Sequence, residues 1–211
     1  PEDAEELISN NVCEFVAMGR QLLADSELPN HLINREPEKI RPCINCFVCV
    51  AQNFWNGEPV CAVNARLGNY DTKIENAKRS KNVVIVGAGP AGLECARVAS
   101  NRGHEVTLLE KMESLGGTTL FSSLTTPKNG ELINWFETVL KDSEVLIKKG
   151  FVADTDSIMS LSPDVVVIAT GSGASKSSLK GSELKHVLTR DQLRSLLQKT
   201  RTSKIPQEIK K

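Results

Sequence analysis

Four cysteines, Cys43, Cys46, Cys49 and Cys61, stand at C-x2-C-x2-C-x11-C spacing, and a glycine-rich segment, Gly87-Ala88-Gly89-Pro90-Ala91-Gly92, follows them. Grouped thiolates hold either an iron–sulfur cluster or a structural zinc ion. Three cysteines spaced two apart can turn their sulfurs onto one centre, and a distant fourth closes the site. In a ferredoxin run the fourth Cys comes about three residues later, before a Pro, and serves a second cluster. Cys61 is too far along for that, so a single four-cysteine cluster is the better reading. Zinc ribbons carry two C-x2-C pairs rather than a triplet and a singleton. Zinc and unrelated free thiols remain as alternatives. Phe47, Phe54 and Trp55 are placed to shield such a cluster, or simply to pack. Cys13 and Cys95 lie apart and read as small buried hydrophobes.

The glycine segment follows four apolar, β-branched residues, Val83-Val84-Ile85-Val86, and precedes a helical pattern. In that setting Gly87 permits the tight turn, Gly89 lets the backbone approach a diphosphate, and Gly92 allows the helix to pack on the strand. The helix N-terminus supplies N–H groups and the positive end of a dipole. Glu110, eighteen residues beyond Gly92 at the end of the next strand, is placed to accept hydrogen bonds from ribose hydroxyls. A carboxylate there disfavours a 2′-phosphate, so FAD or NAD is expected rather than NADP. Leu115-Gly116-Gly117 and Ala169-Thr170-Gly171 follow in an order typical of flavoproteins with two dinucleotide sites, which favours FAD. The rival reading is a similar fold with no working nucleotide site.

These residues need elements to position them. The chain has 211 residues, with 26 basic and 26 acidic side chains. No strong field would recruit nucleic acid or an anionic membrane, and no apolar run approaches the roughly 18 residues of a membrane span. Grouped cysteines without a leader of charged and then apolar residues suggest a reducing, cytoplasmic setting. The first residue is Pro1, and the sequence reads as a piece of a longer protein. The pattern predicts a helix from Pro1, a buried strand over residues 13–18, a helical turn at 21–24, and a helix capped by Asp25 or Ser26 through Ile33. Residues 35–80 are broken by Pro37, Pro42 and Pro59 and read as a loop-rich module and linker. From Asn82 the order is α/β: strands at 83–86, 105–110, 144–148 and 164–168, and helices at 90–101, 132–140 and 190–200.

With these motifs in place, the chain resembles the iron–sulfur flavoproteins related to old yellow enzyme, the family of 2,4-dienoyl-CoA reductases, enoate reductases and trimethylamine dehydrogenases. The strongest stretches are Phe15-Val16-Ala17-Met18-Gly19-Arg20, Arg41-Pro42-Cys43-Ile44-Asn45-Cys46, residues 84–93, residues 102–108 and residues 166–171. The resemblance implies three parts. Residues 1–34 are the C-terminal end of an FMN-binding TIM barrel, with Gly19 and Arg20 at the FMN phosphate. Residues 35–80 carry a 4Fe–4S cluster on Cys43, Cys46, Cys49 and Cys61. Residues 81–211 are part of a Rossmann-like FAD domain, with Ala91, Glu110, Thr118, Lys128 and Val152 at FAD-contact positions. It further implies an NAD(P)H-dependent oxidoreductase passing electrons between FAD and FMN to reduce an activated C=C bond. The substrate, an enoate, enoyl-CoA or amine, is then held by the remainder of the barrel, and NAD(P)H by a further domain. No catalytic residue is expected within these residues. Two departures matter. Thr118 stands where the family has Gln, and the gap between Cys46 and Cys49 is one residue shorter than in dienoyl-CoA reductases. That gap is closer to the amine dehydrogenases, in which the equivalent site holds ADP.

Overall fold

The computed structural model describes residues 2–68, 74–173 and 178–199. Helix α1 (Glu2–Ser9) opens with Glu2, Asp3 and Glu5 in its first turn, where carboxylates complement the helix dipole. The next stretch is not the strand that its apolar residues predict. Residues 12–18 join no sheet among the described residues, and Phe15 is 86% exposed. An apolar run becomes a strand only where a neighbour takes its backbone N–H and C=O groups, and no described strand lies beside it.

Helices α2 (Arg20–Ala24) and α3 (Leu28–Ile33) and a 3-10 turn (Pro37–Lys39) follow. Asp25 ties them together, its carboxylate accepting the Glu27 N–H at 3.0 Å and the Arg41 N–H at 2.7 Å. The cysteine stretch contains a short helix that the prolines did not suggest, α4 (Val48–Asn53), entered through Phe47 at φ +60°.

From β1 (Asn82–Val86) onward the layers are regular. Helix α5 (Pro90–Asn101) leads to β2 (Glu105–Leu109), then α6 (Thr118–Ser122), α7 (Lys128–Lys141), β3 (Leu146–Lys148), α8 (Thr155–Met159), β4 (Val165–Ile168) and α9 (Arg190–Lys199). All four strands are parallel, in the order β3-β2-β1-β4. The centre of β1 is buried, as expected of a parallel strand covered on both faces. Pro90 opens α5 at a position that needs no N–H donor. Gly103, at φ +81°, ends it: its N–H donates to Ser100 O, and His104 N–H to Ala99 O. Asp154 and Ser157 cap α8 reciprocally. Residue 200, the expected end of the last helix, lies outside the described residues.

The main core is formed by α5 and α7 against β1 and β2, around Ile85, Leu93, Leu108, Phe136 and Leu140. The N-terminal segments are fastened to it by Arg41, which is only 7% exposed. Its guanidinium donates to Val63 O at 2.9 Å, reaches Glu94 on α5 at 3.4 Å, and lies 4.6 Å over the Trp135 ring of α7. Trp135 Nε1 in turn donates to Lys39 O at 2.7 Å. Burial lowers the Arg41 pKa and Glu94 opposes that, but an arginine stays charged.

Arg41→Ala removes these contacts together and should lower stability by about 2–3 kcal/mol. Lys128→Ala, which loses only an exposed pair with Glu131, should stay within about 0.5 kcal/mol. Urea unfolding of both variants checks the contrast.

Candidate functional site

Where β1 and β2 give way to loops, at their C-terminal ends, a cleft of about 410 Å³ opens beside the start of α5. The chain reaches β2 and β3 on one side of β1 and β4 on the other, so the cleft sits where the strand order reverses. Gly87, at φ +104°, turns the chain out of β1, and a Cβ there would lie 2.5 Å from Ala169 O. A Cβ on Gly92 would lie 1.9 Å from Gly87 O, so the helix reaches the strand only without a side chain. Gly89 differs: its φ is ordinary and no atom lies within 4 Å of where its Cβ would be. The space over Gly89 is what a ligand needs for close approach.

No side chain caps the N-terminus of α5. A second glycine pair backs the first loop, with Gly116 N–H donating to Ala88 O at 2.8 Å and Gly117 packed against Gly89. Glu110 is 6% exposed, and each of its oxygens accepts one backbone N–H: Oε2 from Ala88 at 2.7 Å, Oε1 from Met112 at 2.8 Å. The carboxylate therefore shapes the glycine loop as well as facing the cleft, and each oxygen retains a lone pair for a ribose hydroxyl.

Of the residues expected at a dinucleotide, Gly87, Gly89, Ala91, Glu110, Thr118 and Val152 line this cleft. Gly92 lies behind it, in the strand–helix contact. Lys128 starts α7, pairs with Glu131 at 3.4 Å, and is not one of the cleft-lining residues. Phe121, Phe151, Ser172, Asp191, Arg194 and Ser195 also line it and were not anticipated. The local signal for the last three was the start of α9, where Thr189 and Gln192 cap one another.

The cysteine loop is organised differently. The Gln21 side chain grips both sides of Pro42, donating to Arg41 O at 2.8 Å and accepting the Cys43 N–H at 2.9 Å. Asn45 and Phe47 adopt positive φ within the C-x2-C-x2-C run. The donor set has the chemistry of a thiolate-held centre. Even so, among the described residues no three His, Cys, Asp or Glu side chains converge into a group able to hold a metal ion. Phe54 and Trp55 are about four-fifths exposed instead of shielding the sulfurs, because the loop gives them nothing to pack on. Cys95 packs half-buried against the core, and burial raises its thiol pKa.

Gly19 and Arg20 stand with the cysteine loop, not the cleft. Gly19 precedes α2, and the Arg20 guanidinium lies 4.3 Å over the Phe47 ring. Arg20 Nη1 is buried without a hydrogen-bond partner, a donor that suits a phosphate oxygen.

The family described as pyridine nucleotide-disulphide oxidoreductase matches residues 61–126 and 81–205. A cinnamate reductase from Clostridium sporogenes is 37% identical over 87% of the chain and 28% of that protein. A dimethylamine dehydrogenase from a Hyphomicrobium species is 32% identical over 92% of the chain and 30% of that protein. The solved structure of a 2-naphthoyl-CoA reductase superposes with a TM-score of 0.84 at 34% identity, over 88% of this chain and 29% of that one.

The chain belongs to the pyridine nucleotide-disulphide oxidoreductase family. Its relatives include both reductases and amine dehydrogenases, and the resemblance to the old yellow enzyme-related flavoproteins holds. The chain spans less than a third of the proteins compared. Among the described residues no helix is long and apolar enough to cross a membrane.

Two glycine substitutions separate ligand room from packing. Gly89→Ala should leave thermal stability within about 1 kcal/mol while weakening the binding of FAD, the ligand expected from the sequence, about tenfold or more, because its methyl group would fill the approach to the loop. Gly92→Ala should cost about 1–3 kcal/mol in the absence of any ligand. Thermal unfolding and fluorescence titration with FAD distinguish the two.

Proposed function

We propose that the chain supplies the FAD cradle and the iron–sulfur bridge of an NAD(P)H-dependent flavoprotein oxidoreductase. The complete enzyme reduces an activated C=C bond of the enoate or 2,4-dienoyl-CoA type. The observation that carries this reading is the cleft, with its glycine loop open over Gly89 and Glu110 buried against the same loop. The similarity to a cinnamate reductase supports the substrate class.

In this reading residues 1–34 close an FMN-binding barrel, 35–80 form the cluster module, and 81–211 are part of the FAD domain. Glu110 receives the adenosine ribose hydroxyls. The backbone of residues 87–92 and the start of α5 face the diphosphate, flanked by Ala91, Thr118 and Val152. Cys43, Cys46, Cys49 and Cys61 are the residues that would hold a 4Fe–4S cluster, which when bound supplies one-electron transfer between FAD and FMN. Arg20 would neutralise the FMN phosphate with its unpartnered Nη1. NAD(P)H and the small-molecule substrate bind elsewhere in the whole protein. Six free cysteines suit a reducing, cytoplasmic setting.

A second reading is an amine dehydrogenase passing electrons outward to an external acceptor. The two-residue gap between Cys46 and Cys49 and the similarity to a dimethylamine dehydrogenase favour it. The full-length protein, purified anaerobically, should show flavin and iron–sulfur absorption, with iron and acid-labile sulfide near four of each per chain, as for a 4Fe–4S cluster. Cys43→Ser should lose most of the iron and sulfide while retaining FAD. Stoichiometric zinc without iron would replace the relay by a non-catalytic, zinc-stabilised nucleotide-binding module. Assay with cinnamate against dimethylamine separates the two redox readings.

A further inference from the structure

Helix α9 runs along the mouth of the cleft and contributes Asp191, Arg194 and Ser195 to its lining. Lys111 and Arg194 are the cationic side chains in that lining. Lys111 adjoins Glu110, at the ribose end. Arg194 donates to Thr118 Oγ1 and sits 5.7 Å over the Phe121 ring. Thr118 follows Gly117, whose absent Cβ would lie 3.1 Å from Gly89 Cα. Arg194 is therefore tethered beside the glycine loop and the uncapped start of α5, where a diphosphate has its other donors.

We infer that Arg194 is a diphosphate-binding residue of this cleft, exchanging its neutral Thr118 acceptor for a phosphate oxygen when a dinucleotide enters. This rests on the dinucleotide reading of the site and adds a ligand contact from a helix outside the strand–loop–helix motif. A guanidinium suits a diphosphate because it stays charged and presents several donors in one plane. Its side chain is 24% exposed and lies 3.7 Å from the Asp191 carboxylate, which orients it and competes with the phosphate for it. The helix has a second described attachment besides Arg194. Thr189 and Gln192 cap its start, and Arg190 donates to Ser172 Oγ at 3.2 Å and to the Ser172 carbonyl.

The test is calorimetric titration of FAD and of ADP into the nucleotide-free full-length protein at several salt concentrations. Arg194→Gln should weaken both ligands about tenfold or more and flatten the salt dependence of binding, with only a small fall in the ligand-free thermal midpoint from its lost contacts. Asp191→Asn should tighten both ligands several-fold. Lys149→Gln, which removes an exposed cation outside the cleft lining, should change them less than about threefold. Unchanged affinity and salt dependence in Arg194→Gln overturn the inference. So does a loss in Asp191→Asn matching that in Arg194→Gln, which would make α9 a structural seat alone. Failure of the unaltered chain to bind either ligand overturns the cleft reading itself, and this inference with it.

Discussion

The architecture depends on one buried cation. Arg41 leaves the N-terminal segments, enters the space between α5 and α7, and is met there by a carbonyl, a carboxylate and an indole face. The residues around it are held as firmly: Asp25 takes its N–H, Gln21 its carbonyl, and Trp135 the carbonyl of Lys39. Two residues later comes Cys43. A loop with few apolar contacts of its own thus inherits a fixed starting point from the packed layer behind it. The strand–helix layer and the cysteine loop are thereby mechanically continuous.

The cleft obeys a second constraint, that of parallel strands. Their C-terminal ends point the same way, so the loops after β1 and β2 converge on one edge, with the residues after β4 beside them. The glycines then divide the labour. Gly87 and Gly92 allow the backbone to fold close upon itself, while Gly89 leaves room for something else. Glu110 serves both purposes, since the carboxylate that would meet a ribose also holds the Ala88 amide in place.

Much of this was legible in the sequence, for a local reason. The run of β-branched residues before Gly87, Pro90 at the first helical turn and Gly103 at the helix end each carry their structural instruction within a few residues. What escaped was non-local. Residues 13–18 have a strand's composition, but a strand is a property of a pair. Arg194 meets Thr118 across 76 positions of sequence, and no short-range pattern announces that. Phe54 and Trp55 were expected to cover the sulfurs, yet covering is a property of what lies underneath. Lys128, matched by motif alone, begins α7 and pairs with Glu131.

Strand β4 forms one margin of the sheet, pairing with β1 on its inner side. Val166 and Ile168 are exposed there, and the four residues Val165, Val166, Val167 and Ile168 contain no charge and no proline. Among the described residues no strand pairs with its outer side, so the rim joins an apolar face to unclaimed ladder positions, the combination that favours edge-to-edge pairing. A further strand, from a second chain or from elsewhere in a longer protein, is what such a rim would accept.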